Sequence, residues 1–272
     1  MPYMTQQINV GFLDWSKDEI LAYIPEFLQI YHERPIKDNE GGMRSPHMFA
    51  FYVFMKKLNP KVVIESGVWR GQGTWLIETV LPDAKIHSID LNLNERQFVS
   101  KKATYYNQDF QSIDWSSLSD KSDVLLFFDD HQDAVRRLHA GKELGFKHFI
   151  FEDNYPAIRG DCYSLKKAFA HAGFNWPKEG RLKSALRELL GRHAASAVRP
   201  NSNDANWLTA NLKTYYEFPP VFKTTTTRWG DGWSDDQYPT SAPLMQPPPP
   251  TPYSVFYEDA QSYTWICYAQ LK

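Results

Sequence analysis

Apolar runs rich in β-branched and aromatic residues alternate with helical patterns across the middle of the chain. We predict strands over 61–67, 86–90, 104–106, 123–128 and 148–151, and helices over 74–80 and 134–145. Continuous apolar runs of this kind are typical of strands that are buried on both faces of a parallel sheet. Because right-handed crossovers join such strands, their carboxyl ends meet at one edge of the sheet, where ligands are expected.

The flanking segments carry weaker patterns. Residues 1–59 have apolar positions at helical spacing, a break at Gly41-Gly42 and a second helix over 49–58, which predicts a helical N-terminal extension. After residue 155 we predict helices over 163–172 and 182–190, a mobile loop over 193–206, and strands over 214–218, 253–257 and 263–271. The order of these strands predicts an antiparallel pair at the end of the sheet. One α/β domain would then span 60–272, with an inserted variable region at about 175–250.

Composition excludes several classes of protein. Of the 272 residues, 42% are hydrophobic and 23% charged, which is ordinary for a globular chain. The net charge of −2 provides no global field for a phosphate backbone, so we expect no nucleic-acid partner. No stretch approaches the roughly 18 apolar residues of a membrane span, and we find no targeting segment. Cys162 and Cys267 form no paired motif and indicate reduced thiols in a cytoplasmic protein.

The turn after the first predicted strand is rich in glycine. It contains Glu65, Gly67, Gly71 and Gly73, and Thr74 opens the following helix. Glycines at such a turn let the backbone approach a ligand and leave helix N–H groups free. The G-x-x-x-G-x-G spacing departs from the dinucleotide pattern, and Glu65 would repel a pyrophosphate but would suit a cationic ligand. A turn that only packs strand against helix is the alternative.

Two further carboxylates follow the next strands. Asp90 ends the second strand, where a carboxylate can accept both ribose hydroxyls of an adenosine. Asp109 follows the third strand, where it could meet an adenine amino group or belong to a plain turn. Over residues 60–155, the glycine turn with Asp90 and Asp109 resembles the cofactor half of class I S-adenosylmethionine-dependent methyltransferases. The resemblance implies a Rossmann-like methyltransferase fold whose glycine loop faces the amino-acid end of the cofactor, with Asp90 on the ribose.

The fourth and fifth predicted strands both end in acidic clusters. The residues concerned are Asp129, Asp130 and His131 after one strand and Glu152, Asp153 and Asn154 after the other. Several carboxylates at one edge of the sheet need a cation, and oxygen ligands suit Mg²⁺ or Ca²⁺ better than zinc. Solvated loop acids or helix caps are the alternative interpretation.

This pair of clusters resembles the metal-dependent O-methyltransferase branch, which includes catechol and macrolide-sugar O-methyltransferases and methyltransferase-like proteins of cephalosporin biosynthesis. The resemblance implies Asp130, Glu152 and Asp153 as ligands, with Asp129 and Asn154 in reserve. Since both aspartates follow the fourth strand, the choice between Asp129 and Asp130 stays open. His131 matches the histidine of the motif and is a candidate general base acting beside Asp130, with a histidine that only hydrogen-bonds a carboxylate as the alternative.

These observations predict an O-methyltransferase that uses S-adenosylmethionine and a divalent ion, Mg²⁺, on a small hydroxylated acceptor such as a sugar or a secondary metabolite. A divalent ion that holds two acceptor oxygens would lower a hydroxyl pKa and orient that oxygen toward the methyl group. The resemblance also makes a homo-oligomer an expectation. An NAD-dependent oxidoreductase and a non-catalytic cofactor-binding scaffold are the alternatives. The Gly67 to Gly71 gap and the acidic clusters count against the first, and the second predicts cofactor binding without turnover.

Overall fold

The computed structural model describes residues 10–172, 202–234 and 237–272, which form a seven-stranded sheet. The strands are β1 Val62–Ser66, β2 Lys85–Ile89, β3 Ala103–Tyr106, β4 Val124–Phe128, β5 His148–Phe151, β6 Leu212–Glu217 and β7 Cys267–Leu271. Their order is β3-β2-β1-β4-β5-β7-β6. The first five run parallel, and β7 is antiparallel to both β5 and β6. The doubly wound, mostly parallel sheet with antiparallel C-terminal strands is thus confirmed.

Helices cover both faces of this sheet. They are α1 Lys17–Leu21, α2 Ile24–His32, α3 Ser45–Leu58, α4 Gln72–Val80, α5 Ala134–Leu144, α6 Leu165–Phe169, α7 Ser202–Asn211 and α8 Ser254–Glu258. Alternate residues of β4 point to opposite faces. Leu125 and Phe127 join the core formed with α2, α3, α4 and α8, whereas Leu126 and Phe128 join the core formed with α5, α6 and α7. The central strands are therefore apolar on both faces, as their sequence predicts.

The N-terminal helices belong to one of these two cores. All residues of α3 from Ser45 to Met55 are buried, as expected of a helix that is apolar all round. The Phe51 ring stacks on Phe127 of β4 with centroids 4.0 Å apart. The predicted N-terminal extension is helical and packs directly on the sheet. The boundary at 59–60 and the inserted region at about 175–250 stay predictions.

The tail differs from its prediction. The expected strand over 253–257 is instead the helix α8, and its Phe256 packs against the rings of Phe27 and Phe49. Of the expected strand over 263–271, only Cys267–Leu271 pairs, because Trp265 has a φ of 60° that interrupts extended backbone. Part of the expected loop over 193–206 is helical, since α7 begins at Ser202. The helix predicted over 182–190 lies outside the described residues.

The register of the central strands places the candidate site. Ser66 pairs with Phe128, and Phe128 pairs with Phe151, so β1, β4 and β5 end at the same level. The segments that follow these three strands are the glycine turn and the two acidic clusters. All three therefore leave the sheet side by side at its carboxyl edge.

Candidate functional site

The loop between β1 and α4 has a backbone path that requires glycine. Gly67 has a φ of 104° and Gly71 a φ of 94°, both in the left-handed region. A Cβ atom on Gly67 would lie 2.1 Å from the carbonyl oxygen of Asp129, and one on Gly71 would lie 2.3 Å from that of Phe98. Gly67 and Gly71, two of the three glycines predicted for cofactor binding, therefore allow close contact with the backbone of other segments. At Gly67 the contact is with the loop that follows β4.

Glu65 lies fully buried beneath this loop. Its Oε2 atom accepts hydrogen bonds from the hydroxyls of Thr74 and Ser88, the latter at 2.9 Å. Gly73 permits this arrangement, since a Cβ atom there would lie 2.2 Å from Glu65 Oε1. Burial raises the pKa of Glu65 to about 7, although the Thr74 and Ser88 hydrogen bonds lower it. Glu65, Gly73 and Thr74 thus form one packed unit that anchors the start of α4.

Asp90 lies at the glycine loop, as the sequence predicts. Its Oδ2 atom accepts a hydrogen bond from the Trp69 backbone N–H at 2.7 Å, and its Oδ1 atom accepts one from the Asn92 N–H at 2.9 Å. Trp69 itself has a φ of 42°, an unusual value for a bulky residue. Asp90 therefore ties the end of β2 to the loop after β1, and its predicted role on the ribose stays a prediction.

Arg137 of α5 joins two of the predicted site residues and was missed by the sequence analysis. Its guanidinium is buried, donates to both carboxylate oxygens of Asp109 at 3.0 and 2.7 Å, and donates to Asp130 Oδ2 at 2.7 Å. Ser66 also donates to Asp130 Oδ2, at 2.8 Å. Asp109 and Asp130 thus both accept hydrogen bonds from the buried guanidinium of Arg137. The available signal was the position of Arg137 within the apolar stripe of a predicted helix.

A second group of titratable residues, which we call the acidic group, lies at the same edge of the sheet and consists of Asp129, His131 and Asp153. Asp129, His131 and Asp153 each offer one ligand atom, and these atoms all lie within 4.8 Å of one another. His131 Nδ1 is 3.1 Å from Asp153 Oδ2 and 3.0 Å from Asp161 Oδ1. Of the two aspartates after β4, the structure places Asp129 in this group and Asp130 on Arg137. The preference for Asp130 over Asp129 as a ligand is therefore at odds with the geometry.

The acidic side chains of this group are destabilised as anions. Burial and the charge of Glu152 raise the pKa of Asp153 to about 8, and the same causes with Asp153 raise that of Asp129. Burial lowers the pKa of His131, but the Asp161 hydrogen bond and the charges of Asp153 and Asp129 raise it more, to about 11. A cation among these residues would offset the repulsion, and carboxylate oxygens suit a hard divalent ion.

Glu152 is oriented by a histidine of α3 that the sequence analysis missed. The Thr264 backbone N–H donates to His47 Nε2 at 2.8 Å, so the ring proton lies on Nδ1 and is donated to Glu152 Oε1. Burial lowers the pKa of His47 to about 3, which keeps the ring neutral. A lone histidine in an apolar helix was the only hint in the sequence. Glu152 therefore lies beside Asp153, and its Oε1 atom is held by His47 of α3.

Asn154, the reserve ligand, is used by the fold. Its Oδ1 atom accepts a hydrogen bond from the Lys166 N–H at 2.9 Å, and its Nδ2 atom donates to the Tyr215 hydroxyl at 2.8 Å. The side chain is fully buried. The structure thus directs Asn154 toward α6 and β6 and does not bring it into the group of Asp129, His131 and Asp153.

The pKa shifts predict how stability depends on pH. Native pKa values of about 7 for Glu65, 8 for Asp153 and 11 for His131 exceed their ordinary values of 4.5, 3.8 and 6.5. The native state therefore holds protons that the unfolded chain releases, and stability falls as pH rises. His47, at about 3, opposes this only below pH 6.5, and Lys167, at about 8, opposes it only above pH 8.

Between pH 6.5 and 8 we therefore expect the free energy of unfolding of the metal-free protein to decrease. Denaturant unfolding in EDTA across this window measures it. A free energy that stays level or rises would contradict these shifts.

The structure thus defines a Rossmann-like α/β fold with a glycine loop and an acidic group at one edge of its sheet. No helix among the described residues has both the length and the apolar character to cross a bilayer. No family model and no curated protein matches the chain.

Several solved structures are similar to it. One is CmcI, in its D160 form with Mg-SAM, at 17% identity over 53% of this chain and 70% of that chain, with a TM-score of 0.33. Another is the Podospora anserina methyltransferase PaMTH1 bound to SAH, at 11% identity over 53% and 73%, with a TM-score of 0.35. A third is the plantazolicin methyltransferase BpumL with SAH, at 14% identity over 94% and 97%, also with a TM-score of 0.35.

Proposed function

We propose that this protein is a class I S-adenosylmethionine-dependent methyltransferase that acts on a hydroxyl of a small acceptor with the help of a divalent ion. The observation that carries the proposal is the contact between the two halves of the site. Gly67 of the glycine loop packs against the backbone of Asp129, the first residue of the acidic group. A methyl donor on the loop and an acceptor on the acidic group would therefore be neighbours, and proximity is most of what this displacement needs.

The residues around the glycine loop fit one end of such a cofactor. They line a pocket of about 270 Å³, counting its open mouth, formed by Asn39, Gly42, Met43, Gly67, Val68, Trp69, Arg70, Gln72, Gly73 and Asp129. Much of this volume is open to solvent, so the pocket would take only one end of the cofactor, the amino-acid end. Asp90 would bind the ribose and Asp109 would lie on the adenine side.

The acidic group fits a hard divalent ion such as Mg²⁺. Asp129 and Asp153 would supply carboxylate oxygens, and Glu152, fixed by His47, would support them from the adjacent position. When bound, the ion would hold two acceptor oxygens and lower the pKa of a hydroxyl. We assign the β4 ligand to Asp129, because Asp130 is engaged by Arg137 and Ser66.

His131 is the candidate base, and its charge state depends on its neighbours. With a pKa of about 11 it is protonated at neutral pH and cannot accept a proton. The Asp161 hydrogen bond and the charges of Asp153 and Asp129 keep the pKa of His131 high, so positive charge beside the last two carboxylates would lower it. His131 would then be able to take the hydroxyl proton.

The acceptor would lie beside the loop that follows β5. Tyr155 and Trp229 have ring centroids 6.0 Å apart, and Arg228 donates to the Tyr155 hydroxyl at 3.3 Å. Aromatic faces with polar groups at their rim suit a sugar ring or another flat hydroxylated molecule. This arrangement supports a small-molecule acceptor.

Calorimetric titration with S-adenosylhomocysteine and, separately, with NAD⁺ tests the proposal, each in Mg²⁺ and in EDTA. We expect micromolar binding of S-adenosylhomocysteine and none of NAD⁺, whether or not metal is present, because the glycine-loop pocket shares only Asp129 with the acidic group. Binding of NAD⁺, or of neither ligand, would overturn the proposed function. Binding without methyl transfer to any hydroxylated acceptor would favour the scaffold alternative.

A further inference from the structure

Three buried oxygen atoms around the glycine loop lack a hydrogen-bond partner among the described residues. They are Glu65 Oε1, Gln72 Oε1 and Asn39 Oδ1. Glu65 is 0% and Gln72 4% exposed. Buried acceptors are rarely left unpaired in folded proteins, so three of them around one pocket indicate a donor that belongs to a ligand.

The other atoms of these side chains are already used, which identifies the oxygens as the free groups. Gln72 Nε2 lies 3.5 Å from the Met48 sulfur, and Asn39 Nδ2 donates to the Met43 carbonyl oxygen at 3.2 Å. Asn39 and Gln72 both line the glycine-loop pocket. Glu65 Oε1 lies directly behind Gly73 of the same pocket.

Asn39 reaches this pocket because the segment before α3 is fastened to the glycine loop. Arg70 donates to the Asp38 carbonyl oxygen at 3.0 Å. A Cβ atom on Gly42 would lie 2.9 Å from the Trp69 ring, so segment and ring are in contact. The N-terminal segment therefore forms one wall of the pocket and the loop forms the other.

We propose that Asn39 and Gln72 bind the α-ammonium group at the amino-acid end of the cofactor, with the Glu65 carboxyl behind them. This assignment rests on the proposed function. An ammonium carries three donors and no acceptor, so it complements these three unpaired oxygens. The three oxygens thus favour a cationic group, and two of them belong to Asn39 of the N-terminal segment and to Gln72 between Gly71 and Gly73.

Three ligands test this assignment by calorimetry on the full chain. They are S-adenosylhomocysteine, its decarboxylated analogue, which keeps the ammonium, and its deaminated analogue, which carries hydrogen in its place. We expect wild-type protein to bind the first two at least about tenfold more tightly than the third, as for hydrogen bonds to a charged group.

Variants locate the effect. Gln72→Met and Asn39→Ala should each weaken the two ammonium-bearing ligands by about tenfold and leave the affinity for the deaminated analogue unchanged. Asn39→Asp and Gln72→Glu keep an acceptor oxygen and should retain binding. Gln29→Met, on the exposed side of α2, is the matched control and should bind all three ligands as wild type does.

The outcomes separate the two proposals. Equal weakening of all three ligands in Gln72→Met and Asn39→Ala would show a merely structural role, and unchanged affinities would show that the ammonium lies elsewhere. Either result overturns the assignment while the proposed function stands. If wild-type protein binds none of the three ligands, the proposed function fails and the assignment fails with it.

Discussion

Gly67→Ala is expected to abolish binding of S-adenosylhomocysteine and to lower the free energy of unfolding by on the order of 3 kcal/mol. The residue has a φ of 104°, which an alanine adopts only with strain, and the new Cβ atom would lie 2.1 Å from the Asp129 carbonyl oxygen. Backbone cannot rotate away as a side chain does. The loop after β1 and the loop after β4 would therefore have to separate, which disturbs both halves of the site.

Gly232→Ala is the matched control, since no atom lies within 4 Å of a Cβ built there. Denaturant unfolding and calorimetry on both variants measure the two effects. A Gly67→Ala protein as stable as Gly232→Ala, with wild-type affinity for S-adenosylhomocysteine, would disprove the contact between the loops.

Asp153→Asn is expected to lower Mg²⁺ affinity by about 100-fold or more, since even residues that only support metal ligands contribute tenfold to 100-fold. The amide keeps the size of the side chain but removes the charge that a hard ion requires. Affinity for S-adenosylhomocysteine should stay within about twofold, because Asp153 does not line the glycine-loop pocket. Titration with Mg²⁺ and then with S-adenosylhomocysteine gives both values.

The two aspartates after β4 make the test sharper. Asp129→Asn should lose Mg²⁺ as Asp153→Asn does, whereas Asp130→Asn should retain it. The latter should instead lower stability, because it leaves the buried Arg137 with a weaker partner. Loss of Mg²⁺ in Asp130→Asn with full binding in Asp129→Asn would return the ligand role to Asp130.

The sequence predicts the sheet well because its evidence is local. Runs such as Val62-Val63-Ile64 are typical of buried strands. Glycines that follow one of these runs predict a turn with backbone in the left-handed region. The position of the acidic clusters at one edge then follows from the handedness of the connections. None of these inferences requires knowledge of distant residues.

Side-chain directions at the edge do depend on distant residues. Asp129 and Asp130 are neighbours in sequence, and Asp130 is directed away from the acidic group by Arg137 and Ser66 on other elements. Asn39, from the segment before α3, and His47, from α3, join the site from a region that the sequence analysis treated as an extension. The strand wrongly predicted over 253–257 has the same cause, because tertiary packing of Phe256 outweighs a weak local pattern.

The hydrogen bond between His47 and Thr264 joins residues 217 positions apart. Glu152 therefore acquires its final orientation only after α3 meets a segment that is synthesised more than 200 residues later. A nascent chain can form β1 to β5 and the glycine loop well before that moment. The half of the edge that would hold a cofactor is thus complete first, and the acidic half is completed only by a contact that is among the longest-range ones between described residues.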